Sequence, residues 1–338
     1  MLNAAVIGLG IGEQHIRAYK TLPDVDVSAI CDLDENKLSL VGEKYLIDKR
    51  YTDGRHIIDD PSIDIVSIAT YDETHAKLAV SAIENGKHVF VDKPLCMTPE
   101  EADSIRLALQ AAPDLKMSSN LPLRTCPRFV ELRHQIQNGG MGRVYHVEAD
   151  YLWGRPHKLL EGWRRDMSGY SIVLGASIHM IDLVAWVTGQ IPVEVFGYGS
   201  RKVFADHNLG FDDFAVHLFR FADGTCAKVG AHGGGAHPHY HDIRVFGSGK
   251  SFHHKFDGAY WIDGCDPELQ VRPEISAYPA KDQRGRILTS FVEHIQGSPT
   301  PPLVTAYDSF TLMNIAFAAE RSISEGQPQP IPAINEQG

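Results

Sequence analysis

The sequence predicts an α/β protein in which a doubly wound parallel sheet is followed by a second α/β domain with an open, mainly antiparallel sheet. Three observations support this. Short apolar runs alternate with helix signals over residues 1–120, which is the pattern of a parallel sheet. A glycine-rich turn separates the first apolar run from the first helix. Over residues 121–338, strands of alternating polarity are joined by hairpin turns, and 338 residues are enough for two such domains.

The glycine-rich turn reads Gly8-Leu9-Gly10-Ile11-Gly12 and follows an apolar run at residues 4–7. Such a turn lets the backbone approach a pyrophosphate at the N-terminus of a helix. A second apolar run at residues 25–30 leads to Asp32, where a carboxylate can accept hydrogen bonds from a ribose 2′-hydroxyl. Together they predict a Rossmann domain. Because Asp32 would repel a 2′-phosphate and no arginine follows at the next two positions, we expect NAD rather than NADP.

The glycine spacing departs from the standard G-x-G-x-x-G, since Gly8, Gly10 and Gly12 give G-x-G-x-G. Either the turn is one residue shorter, or Glu13 stands in the place of the third glycine. We favour the shorter turn, because Asp32 is still where a dinucleotide would need it.

Apolar runs and capping signals define the other elements of the first domain. Strands are predicted at residues 63–69, 88–91 and 115–118. Thr74 is expected to cap a helix that stops at Asn85-Gly86. The sequence Thr98-Pro99-Glu100-Glu101 supplies an N-cap, a proline at the first helical position and a glutamate for a capping box.

The second domain begins with a different pattern. Residues 144–153 alternate, with Tyr145, Val147, Ala149, Tyr151 and Trp153 on one face. Hairpins are predicted around the turns at residues 222–224 and 247–250. An amphipathic helix over residues 307–324 closes the fold, and the proline-rich tail after residue 326 is predicted to be irregular.

Composition excludes several classes of function. The chain has 32 basic and 43 acidic residues and a net charge of -11, which argues against nucleic acid or an anionic membrane as partner. No apolar run approaches the roughly 20 residues of a membrane span, and the first strand begins too early to leave room for a signal peptide. Five cysteines without C-x-x-C spacing fit reduced thiols, so we expect a cytoplasmic protein.

Two groups of polar residues suggest catalysis. The strand at residues 88–91 ends in Asp92-Lys93-Pro94, and because ligands collect at the carboxyl ends of parallel strands, Lys93 is expected to point into the cofactor crevice. A helix-like run ending at Thr188-Gly189 places Gly175, His179, Asp182 and Trp186 on one stripe. Oxidation of an alcohol by a nicotinamide needs a base, and the ordinary histidine pKa of about 6.5 suits His179 to that task. A lysine beside it can polarise the oxygen.

In combination these motifs resemble the Gfo/Idh/MocA oxidoreductases over nearly the whole chain. The matching features are the glycine-rich turn with His15, Asp32, the run Gly86-Lys87-His88-Val89 into Asp92-Lys93-Pro94, and His179-x-x-Asp182. The resemblance implies an NAD(P) Rossmann domain, an open sheet that makes oligomer contacts, and action on secondary hydroxyls of sugars, inositols or nucleotide-linked sugars. It also implies that Lys93 is the lysine of the E-K-P motif, with Asp92 replacing glutamate, and that His179 is the catalytic histidine.

One departure concerns the residue four positions before His179. Many family members have an aspartate there, in a D-x-G-x-H pattern, whereas this chain has Gly175 and Ser177 in the two patterned positions. Either this is a subgroup that works with Lys93 and His179 alone and uses the space at Gly175 for a bulkier substrate, or catalysis has been lost. We favour the first interpretation, because Lys93 and His179 both persist.

Further site residues are predicted for each ligand. Arg124 opens the second domain at the crevice edge, and Trp163 beside Arg164 suits a sugar ring with an attached phosphate. We predict cofactor contacts from Gly8, Gly10, Ile11, Gly12, Asp32, Thr70, Tyr71, His75, Asp92, Lys93 and Asn120. We predict substrate contacts from Lys93, Arg124, Trp163, Arg164, His179 and Asp182.

The histidines at positions 232, 237, 239 and 241 have a spacing that could bind a metal ion from one strand. No cysteine and no carboxylate except Asp242 lies among them, and hydride transfer to a nicotinamide needs no metal. We therefore predict no metal here or at His253-His254, and interpret these residues as a wet sheet face or as substrate contacts.

The sequence thus predicts an NAD-dependent dehydrogenase of a pyranose hydroxyl that assembles as a homodimer or homotetramer through its C-terminal sheet. Our specific hypothesis for the substrate is a nucleotide-linked sugar such as UDP-N-acetylglucosamine, oxidised at the 3-position. Three alternatives remain open: an inositol or free-sugar dehydrogenase, an NAD-dependent redox glycosidase, and a non-catalytic regulator that senses a dinucleotide.

Overall fold

The predicted parallel sheet is present in the computed structural model of the chain, which describes residues 1–266 and 271–334. In the described residues its strands are β1 Leu2–Ile7, β2 Val25–Cys31, β3 Lys49–Tyr51, β4 Ile65–Ile68, β5 His88–Val91 and β6 Met117–Ser119. Their order is β3-β2-β1-β4-β5-β6, and all neighbours are parallel. The order reverses between β1 and β4, as in a doubly wound dinucleotide-binding sheet.

The helices between these strands are α1 Gly12–Tyr19, α2 Glu35–Tyr45, α3 Arg55–Ile58, α4 His75–Glu84 and α5 Pro99–Ala111. The predicted cap at Thr98 is confirmed, because its hydroxyl accepts from the backbone N–H of Glu101 at 3.2 Å. The Glu101 carboxylate accepts from the N–H of Met97, the residue before the cap, at 2.7 Å. The cap predicted at Thr74 is wrong, since that hydroxyl donates to the Tyr71 carbonyl instead.

The second sheet is mainly antiparallel, as predicted. Its strands in the described residues are β7 Val144–Leu152, β8 Glu194–Ser200, β9 Phe214–Arg220, β10 Cys226–His232, β11 Tyr240–Gly247, β12 Lys250–Lys255, β13 Gly258–Asp263, β14 Arg272–Pro273 and β15 Gln329–Pro330. They are ordered β14-β13-β12-β11-β7-β10-β9-β8-β15. The hairpins β9–β10 and β11–β12 are confirmed. The exception is β7, which pairs antiparallel with β11 and parallel with β10.

Helices cover one face of this sheet and leave the other open. The later helices are α6 Pro127–Gln137, α7 His157–Leu160, α8 Trp163–Asp166, α9 Ile178–Thr188, α10 Arg286–Ile295 and α11 Ala306–Glu325. α9 packs against α6 and β7, so Val147, Ala149 and Tyr151 of β7 are buried while the residues between them are partly exposed. Within the described ranges, none of the helices combines the length and the apolar character that a membrane span requires.

The chain divides into two compact units, and a single boundary at residue 120 does not describe the division. Unit 1 contains residues 1–122 and 282–313, and unit 2 contains residues 123–281 and 314–333. The chain returns to unit 1 because α10 has an apolar face to bury. The buried residues of α10 are Ile287, Leu288, Phe291 and Val292. The ring centroid of Phe291 lies 5.8 Å from that of Phe90 in β5, so α10 completes the core around the parallel sheet.

The tail after residue 326 is not irregular throughout, which corrects the sequence-based expectation. Gln329 and Pro330 form β15 at the edge of the second sheet, opposite Val195 and Glu194 of β8. The proline is tolerated because an edge strand does not need every backbone N–H for pairing.

Candidate active site

The glycine-rich turn is one residue shorter than the standard motif, and Gly8 and Gly12 each have a steric reason to be glycine. Gly8 has φ +89°, and a Cβ there would collide with the carbonyl of Ala69 at the end of β4. A Cβ on Gly12 would lie 2.7 Å from Cγ1 of Val6, so Gly12 provides the close helix–strand packing of the usual third glycine. Around Gly10, by contrast, no described atom beyond its two chain neighbours lies within 4 Å of the Cβ position, which leaves room for a pyrophosphate.

Glu13 does not take the place of the third glycine. Its carboxylate accepts from the Lys44 ammonium at 2.7 Å and from the Tyr45 hydroxyl at 3.0 Å, so its side chain turns toward α2. The hydrogen bond from Lys44 is the main cause of the lowered pKa of Glu13.

Asp32 joins the end of β2 to the glycine-rich turn. Its Oδ2 accepts from the backbone N–H of Leu9 at 2.7 Å, and its Oδ1 accepts from that of Asp34 at 2.9 Å. The ammonium of Lys37 lies 3.4 Å from Oδ2, a neighbour that the sequence analysis missed. The carboxylate is therefore placed beside the turn, as a ribose-binding acid would require, with a cation next to it.

The residues after β5 and β6 also come together in unit 1. Asp92 Oδ1 accepts from the backbone N–H of Lys93 at 3.0 Å and from the side-chain amide of Asn120 at 3.1 Å. The bond between Lys93 and Pro94 is cis. Asp92 and Asn120 thus fix the backbone that carries Lys93, and their contacts with a cofactor stay a prediction.

Two histidines of unit 1 are buried in its interior. Both ring nitrogens of His75 face backbone carbonyls, with Nδ1 2.7 Å from Pro94 O and Nε2 3.2 Å from Thr70 O. Its polar atoms thus hold the two loops that carry Thr70 and Lys93, and its contact with a cofactor stays a prediction. His15 packs edge to face on Phe90 at 5.1 Å, and burial lowers its pKa to about 4, so it is neutral at pH 7.

The helix that carries His179 begins with a π-helical turn, Val173–Ser177, which the sequence analysis interpreted as ordinary helix. Ser171 holds this turn, since its hydroxyl accepts from the backbone N–H of Val173 at 3.0 Å and of Leu174 at 3.4 Å. Asp182 lies further along α9 and is paired with Arg124, whose Nη2 is 2.6 Å from Oδ1. Both partners are buried, so this ion pair anchors α9 and the substrate role of either residue stays a prediction.

His179 lies in a cluster of rings above the second sheet. Its imidazole stacks on Tyr151 of β7, with 5.3 Å between centroids and an angle of 10° between the planes. His241 of β11 meets it at 6.1 Å, and His239 lies 5.0 Å from His241. The Tyr278 hydroxyl is 2.7 Å from Nδ1 of His241. Tyr151 could have been found from the alternation of β7, which turns it inward.

The same contacts account for the histidine-rich segment. His239 and His241 belong to this ring cluster, whereas His232 lies 3.0 Å from the Asp150 carboxylate. Among the residues described by the structure, no group of three or more His, Cys, Asp or Glu has the arrangement needed to hold a metal ion.

Trp163 and Arg164 form a second aromatic group. The Arg164 guanidinium lies 4.2 Å from the centroid of the Trp163 ring and 5.5 Å from that of Trp153. Cation–π contacts of this kind leave ring edges and guanidinium donors for a polyhydroxylated ligand. Substrate binding by this pair stays a prediction.

The space expected at Gly175 is filled, which corrects the idea that it admits substrate. A Cβ on Gly175 would collide with the Tyr170 hydroxyl, and the Tyr170 side chain is buried. The absence of a side chain at residue 175 therefore makes room for a residue of the protein itself.

Comparison with known proteins agrees with this geometry. Residues 2–117 match the N-terminal domain of an oxidoreductase family with an NAD-binding Rossmann fold, and residues 129–253 match the C-terminal domain of the same family. The chain belongs to the Gfo/Idh/MocA oxidoreductase family, which confirms the resemblance found in the motifs. It is an NAD-dependent oxidoreductase, and unit 1 contains its NAD-binding domain.

The individual relatives have low sequence identity to this chain. The myo-inositol 2-dehydrogenase of Thermotoga maritima is 27% identical, with 96% of this chain and 97% of the relative covered. The levoglucosan dehydrogenase of Pseudarthrobacter phenanthrenivorans is 26% identical, with 68% and 67% covered. A solved structure of levoglucosan dehydrogenase with NADH and levoglucosan has a TM-score of 0.85 at 21% identity, with 98% of this chain and 100% of that chain covered, a likeness that shows the fold alone.

Proposed function

We propose that this protein is an NAD-dependent dehydrogenase that oxidises a secondary hydroxyl of a free cyclic polyol or sugar. The observation that carries the proposal is the placement of His179, a partly exposed imidazole held flat against Tyr151 and near His241. A neutral imidazole held in this way can accept a hydroxyl proton. The ring cluster also offers apolar ring faces and hydrogen-bonding ring atoms. A cyclic polyol has a matching apolar C–H face and hydroxyl groups.

The residues of unit 1 fit NAD. The space at Gly10 can take a pyrophosphate and Asp32 a ribose, and bound NAD supplies the acceptor for a hydride. In our proposal the Lys93 ammonium polarises the substrate oxygen, and Asp92 and Asn120 hold the loop that presents it. His179 takes the hydroxyl proton.

The substrate class differs from our first hypothesis of a nucleotide-linked sugar. The two named relatives act on myo-inositol and levoglucosan, neither of which carries a nucleotide. Their names support the alternative of an inositol or free-sugar dehydrogenase. Formation of NADH can be followed by absorbance with myo-inositol, levoglucosan, glucose and UDP-N-acetylglucosamine, each supplied with NAD. Turnover confined to the nucleotide sugar would restore the first hypothesis.

The catalytic roles predict that Lys93→Ala and His179→Ala each lower kcat at least about a hundredfold, the low end of what a positioned acid or base contributes. NAD binding, measured by titration calorimetry, should change little because neither change removes the glycine-rich turn or Asp32. The matched controls are Lys77→Ala on α4 and His207→Ala, both exposed. Wild-type turnover in Lys93→Ala or His179→Ala would remove that residue from the mechanism.

We also propose that the protein is a homo-oligomer joined through the open face of the second sheet. The face carries an apolar patch, hereafter the open-face patch, formed by Phe196 and Tyr198 of β8 and by Val216 and Leu218 of β9. Tyr198 is 63% exposed and Leu218 57% exposed. In the register of these strands, Tyr198 lies opposite Val216 and Phe196 opposite Leu218. Exposed apolar groups that cluster in this way favour a protein partner.

A further inference from the structure

Three cationic side chains of unit 2 lie together beside the ring cluster that contains His179. Arg155 follows β7, Lys158 lies in α7, and Arg164 lies in α8. The backbone N–H of Lys158 donates to the Arg155 carbonyl at 3.0 Å, and α7 packs against α8. Of the three, only Arg164 was expected from the sequence to meet a ligand. We call them the cation group.

The two guanidinium groups of the cation group lie near one buried indole. The Arg164 guanidinium is 5.5 Å from the centroid of the Trp153 ring, and that of Arg155 is 5.9 Å from it. The Nε atoms of both arginines are buried and have no hydrogen-bond partner among the described residues. A buried donor without a partner is costly, and a bound ligand is one group that can satisfy it. The arginines therefore have donors that the protein itself does not use.

The charge of the cation group is not neutralised within the part of the chain that the structure describes. None of its three side chains forms an ion pair there, and the two acids of the segment, Glu161 and Asp166, are exposed. Burial, followed by repulsion from Arg155 and Arg164, lowers the pKa of Lys158. A bound anion would offset this repulsion.

The cation group is joined to the proposed base by a short series of contacts. Nη2 of Arg155 lies 3.4 Å from the Tyr151 hydroxyl and 3.3 Å from Nδ1 of His239. The Tyr151 ring in turn stacks on the His179 imidazole, with 5.3 Å between centroids. The guanidinium and the imidazole thus contact the same tyrosine. A substrate ring with one hydroxyl at His179 can therefore extend a substituent toward Arg155.

We propose that Arg155 and Arg164, with Lys158 beside them, bind an anionic oxygen group of the substrate, either a carboxylate or a phosphate ester. The inference rests on the proposed function and narrows its substrate class to a cyclic polyol or sugar that carries such a group. Guanidinium groups bind both anions through paired N–H donors, and a partly buried position strengthens these hydrogen bonds.

Ligands that differ in one group test the preference for an anion. With NAD bound, titration calorimetry compares glucose with glucuronate and glucose 6-phosphate, and myo-inositol with myo-inositol 1-phosphate. We expect an anionic ligand to bind at least about tenfold more tightly than its neutral counterpart, the equivalent of one charge-assisted hydrogen bond. The difference should shrink as the NaCl concentration is raised. The gain with glucuronate or with the phosphate esters identifies the anion.

Substitutions in the cation group test which side chains are responsible. Arg155→Gln and Arg164→Gln should each remove most of the preference and leave Kd of the neutral ligand nearly unchanged, whereas Arg164→Lys should retain part of it. Arg165→Gln is the matched control, because Arg165 is exposed and its Nη1 donates to the Leu160 carbonyl at 3.1 Å. Equal weakening of neutral and anionic ligands in both glutamine variants would show a structural role and overturn the proposal.

Inorganic phosphate is a probe that needs no particular sugar ring. With NAD bound and at constant ionic strength, it should raise Tm of the wild type more than that of the double variant Arg155→Gln/Arg164→Gln. No shift in the wild type, or an equal shift in both proteins, would contradict the proposal. This test needs no catalysis, so it can be read even if His179→Ala is fully active and the proposed base is wrong. If His179→Ala is inactive while neutral and anionic ligands bind alike, only the role of the cation group fails.

Discussion

Asp32 combines two tasks in one carboxylate. Its acceptance of the Leu9 N–H at 2.7 Å fixes the glycine-rich turn, and its position suits a ribose hydroxyl. Lys37, 3.4 Å away, puts a positive charge beside it that a 2′-phosphate could use. The preference for NAD over NADP thus depends on a balance between these two side chains.

Asp32→Ala should raise KM for NAD at least about tenfold, because it removes an acceptor of the ribose hydroxyl and loosens the turn. We expect kcat/KM for NADP to rise relative to that for NAD, since Lys37 then stands without its acidic neighbour. Steady-state kinetics with both cofactors measures this. Lys37→Ala is the matched control and should sharpen the preference for NAD. An equal loss with both cofactors in Asp32→Ala would show a purely structural carboxylate.

Single residues mark where sequence reasoning succeeds and where it stops. Asp32 could be placed beside the turn because strand, turn and helix lie close together in the chain. The packing of Tyr170 against Gly175 could not be predicted, because the glycine shows only that a side chain is missing and not which group fills the space. The two carbonyl contacts of His75 could not be predicted either, because a histidine near a strand end looks the same in sequence whether it contacts a ligand or backbone carbonyls.

The π-helical turn before α9 lies near the carboxyl group of Glu320 in α11. Burial raises the pKa of Glu320 to about 7, and Ser171, the residue that caps the turn, lowers it by a smaller amount. In the unfolded chain the glutamate pKa is near 4.5, so the proton is released at a lower pH than in the native state. Between these two values the native state binds more protons, so stability falls as pH rises through this window.

Glu320→Gln should remove this dependence while keeping an acceptor for Ser171. We expect the variant to match wild type near pH 4.5 and to exceed its free energy of unfolding by up to about 3 kcal/mol at pH 8. Urea denaturation at both pH values provides the measurement. Glu84→Gln, at an exposed position on α4, serves as the control. A difference between Glu320→Gln and wild type that is the same at both pH values would contradict the assignment.

Helices and strands with strong local signals were predictable, and those defined by distant partners were not. The cap at Thr98 and the hairpins β9–β10 and β11–β12 follow from a few adjacent residues. The π-helical turn has no such signal, because Val173 and Leu174 suit an α-helix equally well. β15 was missed because Pro330 and the prolines on either side of the strand suggest irregular chain, and the edge of β8 that pairs with it is distant in sequence.

A single charged substitution in the open-face patch tests whether the protein assembles through it. Leu218→Glu places a carboxylate at the centre of the proposed contact, so light scattering should show a shift to a smaller species. Because Leu218 is 57% exposed, Tm of the separated subunit should change little. Leu107→Glu on α5 is the control, since that leucine is 59% exposed outside the sheet. An unchanged mass for Leu218→Glu would direct the search to another surface.

The return of residues 282–313 to unit 1 affects how the protein is made. Most of the parallel sheet leaves the ribosome early, but α10, which covers Phe90, is synthesised some 160 residues later. At about 5–20 residues per second this leaves a gap of roughly 10–30 s. During that interval the nascent NAD-binding domain exposes the apolar surface reserved for α10. Its final folding therefore waits until α10 has left the ribosome, and until then the growing chain offers chaperones a defined apolar site.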